Sequence, residues 1–239
     1  MLERDGVYAV RTGIASNTEN GVVSAGVVDA ATVRDVIAWF DERRLPASWL
    51  VPEGGGRAAT ADTLEAAGCR SERSGWEMRA ALEGLTLEPA GGADVRTVHG
   101  ESDLEAWLDV AGACGWFDSD DERGAWKEVQ LGLAVGGTAP IRHYVAFRDE
   151  QPVGMGSAFF GEEIALLTAV AVLERERRRG VARALAAARL REARDRGCTL
   201  AVLDPSPDGA KLYESLGFET HTQPPDRWFY LPTADASQE

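Results

Sequence analysis

Val170-Ala171-Val172-Leu173-Glu174-Arg175-Glu176-Arg177-Arg178-Arg179-Gly180-Val181-Ala182 is an apolar run that gives way to arginines and a glycine and then resumes with small apolar residues. It reads as a β-strand turning into a helix. Such a turn leaves the first amides of the helix without intrahelical partners, at the end where the helix dipole favours an anion. Gly180 and Ala182 keep bulky side chains off that backbone, so phosphate oxygens can approach the amides closely. The arginines add planar donors matched to phosphate. The stretch has the outline of a pyrophosphate cradle. On its own it leaves a second reading open, a solvated basic helix start with five arginines between Glu174 and Arg183.

Working outward, Leu166 to Val172 is a continuous apolar strand, preceded by a hairpin whose strands near Ile141–Phe147 and Val153–Phe160 join through Asp149-Glu150-Gln151. Downstream come a helix from Gly180 to about Arg196, a strand Thr199–Leu203, a short helix Gly209–Leu216 and a last strand Trp228–Leu231. Upstream lie a strand around Val95 and a helix announced by the capping-box pattern Ser102-Asp103-Leu104-Glu105, with Leu104, Trp107, Leu108 and Ala111 as its apolar face. A second helix covers about Asp121 to Ala134. The order βααβββαβαβ predicts an α/β fold with a mixed sheet.

The first half carries a strand over Asn20–Val28 and a helix capped by Asp29 with Val33, Ile37 and Phe40 on one face. A strand Ser48–Val51, a helix near Ala61–Ala67 ended by Gly68, and a strand Gly75–Leu82 follow. Glu83 to Gly92, with Pro89, Gly91 and Gly92, reads as a linker, so the expected domains are 1–90 and 91–239. Laid side by side, the halves resemble an internal repeat: Leu64-Glu65-Ala66-Ala67-Gly68-Cys69 before a strand with Trp76-Glu77-Met78 matches Tyr213-Glu214-Ser215-Leu216-Gly217-Phe218 before Trp228-Phe229-Tyr230. The first copy has Leu64 where the second has Tyr213, and it lacks the arginine-glycine turn.

At Arg177, Gly180 and Ala182, directly after the strand ending in Val172, the chain resembles the Arg/Gln-x-x-Gly-x-Gly/Ala signature of the GNAT superfamily of N-acyltransferases. A second signature follows at Ser206 to Phe218, a small-residue turn and then Leu212-Tyr213-x-x-x-Gly217-Phe218. The resemblance implies the GNAT acyl-CoA N-acyltransferase fold, as tandem lobes with a degenerate first copy. It implies acetyl-CoA as co-substrate, with Ala171 and Val172 along the thioester and pantetheine arm. Arg177, Arg178, Arg179, Gly180, Val181 and Ala182 would then hold the pyrophosphate. Glu174 and Arg178 replace the proline and first glycine usual in this turn, and neither replacement removes an amide donor. Tyr213 is the expected acid, a phenol of pKa about 10 being well matched to a thiolate leaving group. Glu162 and Glu163 are the candidate general bases, with Asp204 behind them; a polar turn is the alternative role of the glutamates.

From Glu101 to Glu122 there are eight carboxylates and no lysine or arginine. Asp118 and Asp120 beside Trp116 suggest a site for a cationic amine, by charge and by aromatic face. A solvated acidic helix pair is the alternative. The expected acceptor is a primary amine of a small molecule or peptide. A rival class remains, a non-catalytic acyl-CoA sensor that kept the cofactor turn.

The whole chain, 239 residues with 44% hydrophobic content, has room for two domains. A net charge of −14 argues against a nucleic-acid partner, whose binding is dominated by basic residues. No apolar stretch suits a membrane span, and the charged start Met1–Gly6 carries no secretory pattern, so a cytoplasmic location is expected. Cys69, Cys114 and Cys198, with His99, His143 and His221, lack metal-ligand spacing. No metal is expected.

Overall fold

The computed structural model describes residues 1–17, 19–51, 56–73, 78–85, 87, 92–133, 140–220 and 227–232, leaving aside the side chains of residues 72, 73 and 227. In chain order its elements are β1 (Leu2–Arg4), β2 (Val7–Val10), β3 (Gly21–Ser24), α1 (Ala30–Asp41), β4 (Ser48–Val51), α2 (Arg57–Ala66) and β5 (Arg70–Arg73). Then come β6 (Met78–Ala81), β7 (Asp94–Thr97), α3 (Glu101–Ala113), α4 (Asp120–Leu133), β8 (Ile141–Arg148), β9 (Gln151–Phe160) and β10 (Ile164–Val172). The chain ends with α5 (Val181–Asp195), β11 (Leu200–Leu203), α6 (Pro207–Glu214), β12 (Glu219–Thr220) and β13 (Arg227–Tyr230).

Two compact units result, one of Met1–Gly75 with Thr222–Glu239 and one of Trp76–His221. The first holds a six-stranded sheet ordered β1-β2-β3-β4-β13-β5, the second a seven-stranded sheet ordered β12-β6-β11-β10-β9-β8-β7. The repeat read from the sequence has a topological counterpart. Each sheet contains one parallel pair spanned by a helix, β3-α1-β4 and β10-α5-β11, with an antiparallel hairpin before it and two antiparallel strands after it.

The strand assignments correct the expected domain limits. The strand expected over Gly75–Leu82, described here from Met78, pairs with β11 and β12 in the second sheet, while β13 lies between β4 and β5 in the first. Each repeat thus gives its last strand to the other sheet, and the boundary falls at Gly75 rather than near residue 90. Alternating buried and exposed residues define a strand but leave its neighbour undetermined. Half of the expected linker, residues 86 and 88–91, lies outside the described residues.

Local chemistry explains further differences. The hairpin β1-β2 turns on Asp5-Gly6, both at positive φ (49° and 75°), the signature of a tight two-residue turn that was readable in the sequence. Asp149 and Glu150 make the equivalent turn between β8 and β9 (φ 48° and 58°). Helix α3 starts one residue before Ser102, with Gly100 as its uncapped start, and Asp103 accepts from the His99 amide at 3.0 Å. Ser102 therefore sits inside the first turn and is no N-cap.

Helix α5 packs on the second sheet through Val181, Ala184, Leu185, Ala186, Ala187, Leu190 and Ala193. Small residues let it lie close. A Cβ added at Gly154 on β9 would come within 2.7 Å of Val181 and 3.2 Å of Leu185. Leu185 and Leu190, both fully buried, each contribute roughly 1.5–3 kcal/mol of burial free energy. This packing fixes the helix start against the end of β10.

Candidate functional site

β10 pairs with β9 as far as Val172–Gly154, but with the parallel strand β11 only from Ile164–Leu200 to Leu166–Val202. Beyond Leu166 the two strands part, and the edge of β10 from Leu167 onward has no strand partner there among the described residues. Within this open stretch the register shifts between Thr168 and Ala171, and Ala169 takes φ 52°. That is a β-bulge holding an alanine in the left-handed region, a strained arrangement typical of functional sites.

The arginine-glycine turn lies at the far end of the same strand. Leu173 donates to Val153 O (3.0 Å), Glu174–Glu176 form a single 3₁₀ turn, and Arg178 and Gly180 adopt positive φ (63° and 82°). No side chain caps α5, and its first intrahelical bond runs from Ala184 N to Gly180 O (2.9 Å). The amides of Val181, Ala182 and Arg183 are thus left to an external acceptor. Arg177 Nε reaches back to Val172 O (3.4 Å), and Glu176 pairs with Arg148 (2.7 Å) and Arg179 (3.7 Å), which ties the turn to β8 and to itself. Arg175, Arg177, Arg178 and Arg179 stay exposed around the amides.

The equivalent turn in the first unit is closed. There Asp29 caps α1, its Oδ1 accepting from Thr32 N at 2.8 Å, and that hydrogen bond holds its carboxyl below the usual range. An anion already occupies the helix start. Leu64 stands on α2 where Tyr213 stands on α6, as read from the sequence, and the following turns match, with Gly68 and Gly217 both at positive φ.

Tyr213 is brought to the bulge. Ser206 caps α6 by accepting from Gly209 N (3.2 Å), Pro207 begins the helix, and the buried Tyr213 ring packs edge-on against Phe218 at 5.5 Å. One guanidinium, that of Arg189 on α5, donates to Thr168 O (3.2 Å) and to Tyr213 Oη (3.5 Å). Arg183, in the first turn of α5, donates to Ser215 Oγ just after α6 (2.5 Å). The amide turn, the bulge and Tyr213 therefore form one constellation.

Glu162 and Glu163 do not join it. They are exposed in the turn between β9 and β10, at the opposite end of β10 from Val172, roughly 30 Å of extended strand away. The sequence placed them correctly before the strand, and the arginine-glycine turn follows the strand's other end. Asp204 directly follows β11, and extending the β10–β11 register brings it level with Thr168, across the opening.

The acidic region divides into two parts. Glu101, Glu105 and Asp109 on α3 pair with Arg123 and Lys127 on α4 at 2.5–2.9 Å, and Glu122 accepts from the Asp118 amide (2.8 Å). The three α3 carboxylates staple the two helices, and Glu122 closes the turn before α4. Asp118 and Asp120 remain exposed beside a partly exposed Trp116, whose ring meets Trp107 edge-on at 6.0 Å. Cys114, at the start of the same loop, has its thiol pKa raised by burial, with the charge of Arg177 acting in the opposite direction.

Sequence reasoning missed two buried polar groups. His143 on β8 lies between Ser157 Oγ (2.7 Å from Nδ1) and Gln130 Oε1 (2.9 Å from Nε2). Arg189 is the other. An arginine among Leu185, Ala186, Leu190 and Ala193, on the buried stripe of a helix, was a visible breach of the apolar pattern. No group of three or more candidate metal ligands occurs among the described residues, and no helix among them is long and apolar enough to cross a membrane.

The parallel pair β10-β11 opens at a bulge beside a helix start that no side chain caps. Residues 103–218 match the model of the acetyltransferase (GNAT) family, and the chain carries a GNAT acetyltransferase domain over that span. Among solved structures, a protein of unknown function from Staphylococcus epidermidis is similar over 96% of this chain and 92% of its own (TM-score 0.67, 14% identity). A GCN5-related N-acetyltransferase from Kribbella flavida is similar over 95% and 87% (TM-score 0.65, 20% identity). Both share the fold over nearly the whole chain. No curated protein matches the sequence.

Proposed function

We propose that the protein transfers an acetyl group from acetyl-CoA to a primary amine of a small molecule or peptide, in the second unit alone. The observation that carries this reading is the meeting of Tyr213 with the β10 bulge, next to uncapped helix amides. The amides and arginines of Arg177–Ala182 take the pyrophosphate, and the open edge of β10 at Ala171 and Val172 takes the pantetheine arm. The amine nitrogen attacks the thioester carbonyl carbon, and the oxyanion accepts from a backbone amide of the same edge. The C–S bond then breaks, sulfur keeps the electron pair and receives the Tyr213 proton, and the phenol is reprotonated from water. Asp204 is the base we assign in place of Glu162 and Glu163, taking the amine proton directly or through water. The first unit serves as a GNAT-like lobe without its own cofactor, since Asp29 fills its helix start and Leu64 offers no proton.

Thiol release from acetyl-CoA with a panel of amines and peptide N-termini tests the reading. Turnover that falls about tenfold to a hundredfold in Tyr213→Phe, with acetyl-CoA affinity kept, is the expected result. Acetyl-CoA binding without thiol release for any acceptor would make the protein a sensor.

A further inference from the structure

Arg189 is fully buried on α5. Its Nε donates to Leu185 O (3.0 Å), its Nη1 to Ser157 O (3.0 Å) and Thr168 O (3.2 Å), and its Nη2 to Tyr213 Oη (3.5 Å). Among the described residues these partners are three carbonyls and one phenol, with no carboxylate. A buried cation without a counter-charge is a poor stability device, and an apolar side chain of similar volume packs a core as well or better. The surroundings are nonetheless built for it. A Cβ at Gly156 would lie 3.3 Å from the guanidinium carbon, so the glycine makes room for the group. Thr168, whose carbonyl it holds, opens the bulge in which Ala169 takes φ 52°.

We propose that Arg189 is a positioning residue for acyl transfer, holding the β10 bulge and the Tyr213 hydroxyl in one fixed relation through the two ends of a single planar guanidinium. The inference rests on the acyltransferase reading above. Donation from Arg189 fills an acceptor site on Tyr213 Oη, so the phenol's own hydrogen is left to point away from Arg189. As sulfur takes that proton, negative charge gathers on Oη and the long contact from Nη2 tightens into a charge-assisted hydrogen bond. The same group fixes Thr168 O, and with it the strand edge beside which the thioester lies. Lysine cannot replace this function, because one ammonium does not span both acceptors.

The test is a double-mutant cycle on acetyl-CoA thiol release, with acetyl-CoA affinity measured by calorimetry. Arg189→Lys is expected to lower kcat about thirtyfold with the acetyl-CoA Kd changed by about twofold or less. In a Tyr213→Phe background the same substitution should change kcat by less than about threefold. Equal losses in both backgrounds mean a structural role only and overturn the proposal, as does wild-type kcat in Arg189→Lys. If Arg189→Lys does not fold, Gly156→Ala makes the same test by pushing the guanidinium a few tenths of an ångström, and its loss must likewise vanish in Tyr213→Phe. Wild-type protein that releases no thiol with any amine overturns the acyltransferase reading itself, and this is seen before any variant is made.

Discussion

His143 packs at a tilt against both the Trp107 and Trp126 rings (5.2 and 5.6 Å), which themselves stack at 4.6 Å. Because Gln130 presents its carbonyl oxygen, Nε2 carries the proton and Nδ1 accepts from Ser157. Burial pulls the imidazole from 6.5 down to about 4. It is therefore neutral at pH 7 and too weak a base for an ammonium, so its role is in the core. The unfolded chain takes up this proton below about pH 6.5 and the folded chain only below about pH 4, so the neutral ring's stabilisation is complete above pH 6.5 and lost on the way down to about 4. About 2 kcal/mol should disappear between about pH 7.5 and about pH 5. Urea midpoints at the two pH values should show a shallower decline in His143→Gln than in wild type; parallel declines would place the titration elsewhere. For the acceptor, Asp118 and Asp120 are exposed carboxylates that take no part in the α3–α4 ion pairs. Replacing both by Asn should raise the KM of a cationic amine about tenfold and leave that of a neutral, uncharged acceptor within about twofold. An unchanged KM would return these residues to the role of a solvated helix start.

The turn into α5 was legible because its signals are local: an apolar strand, arginines, then Gly180 where the backbone needs positive φ. The same holds for α6, where Ser206, Pro207 and the Leu212-Tyr213 to Gly217-Phe218 spacing fall within a few turns of chain. What the sequence hid is non-local. Nothing marks Ala169 as a bulge residue, and Arg189 and Tyr213 meet only when α5 and α6 pack on the sheet. Glu162 and Glu163 looked suitable because they precede this strand, and only strand direction shows that they lie at the end opposite Val172. The turn itself predicts a separable effect. In Gly180→Ala the left-handed φ of 82° becomes strained by about 1 kcal/mol, and relaxing it rotates the neighbouring amides out of line. Calorimetry should show acetyl-CoA bound about tenfold more weakly, with kcat at saturating acetyl-CoA within about threefold of wild type. Unchanged affinity would mean that the amides of this turn do not hold the pyrophosphate.

Exchange of β6 and β13 couples the order of the chain to the order of folding. β13 is the last strand in the sequence, yet it forms an interior strand of the first sheet, with Phe229 fully buried in the core of Val33, Phe40, Trp49 and Leu64. The first unit therefore cannot complete its sheet until the whole second unit has been made. Its long-range pairing also carries the entropy cost of closing a loop from β5 to β13. The second unit gains its own borrowed strand from just ahead of it in the chain, where Met78, fully buried, pairs opposite Leu203. Phe229→Ala should thus remove about 3–5 kcal/mol from the first unit, and Leu167→Ala, in the core of the second, about 2–5 kcal/mol from that one. Amide hydrogen exchange can read the two separately. In Phe229→Ala, protection should fall in Val7–Val10, Gly21–Ser24 and Ser48–Val51 and stay near wild type in Gln151–Phe160. Leu167→Ala should show the reverse pattern. Loss of protection in both sets of strands from either substitution would mean that the exchanged strands make the chain a single cooperative body, and that the first unit has no stability of its own to lose.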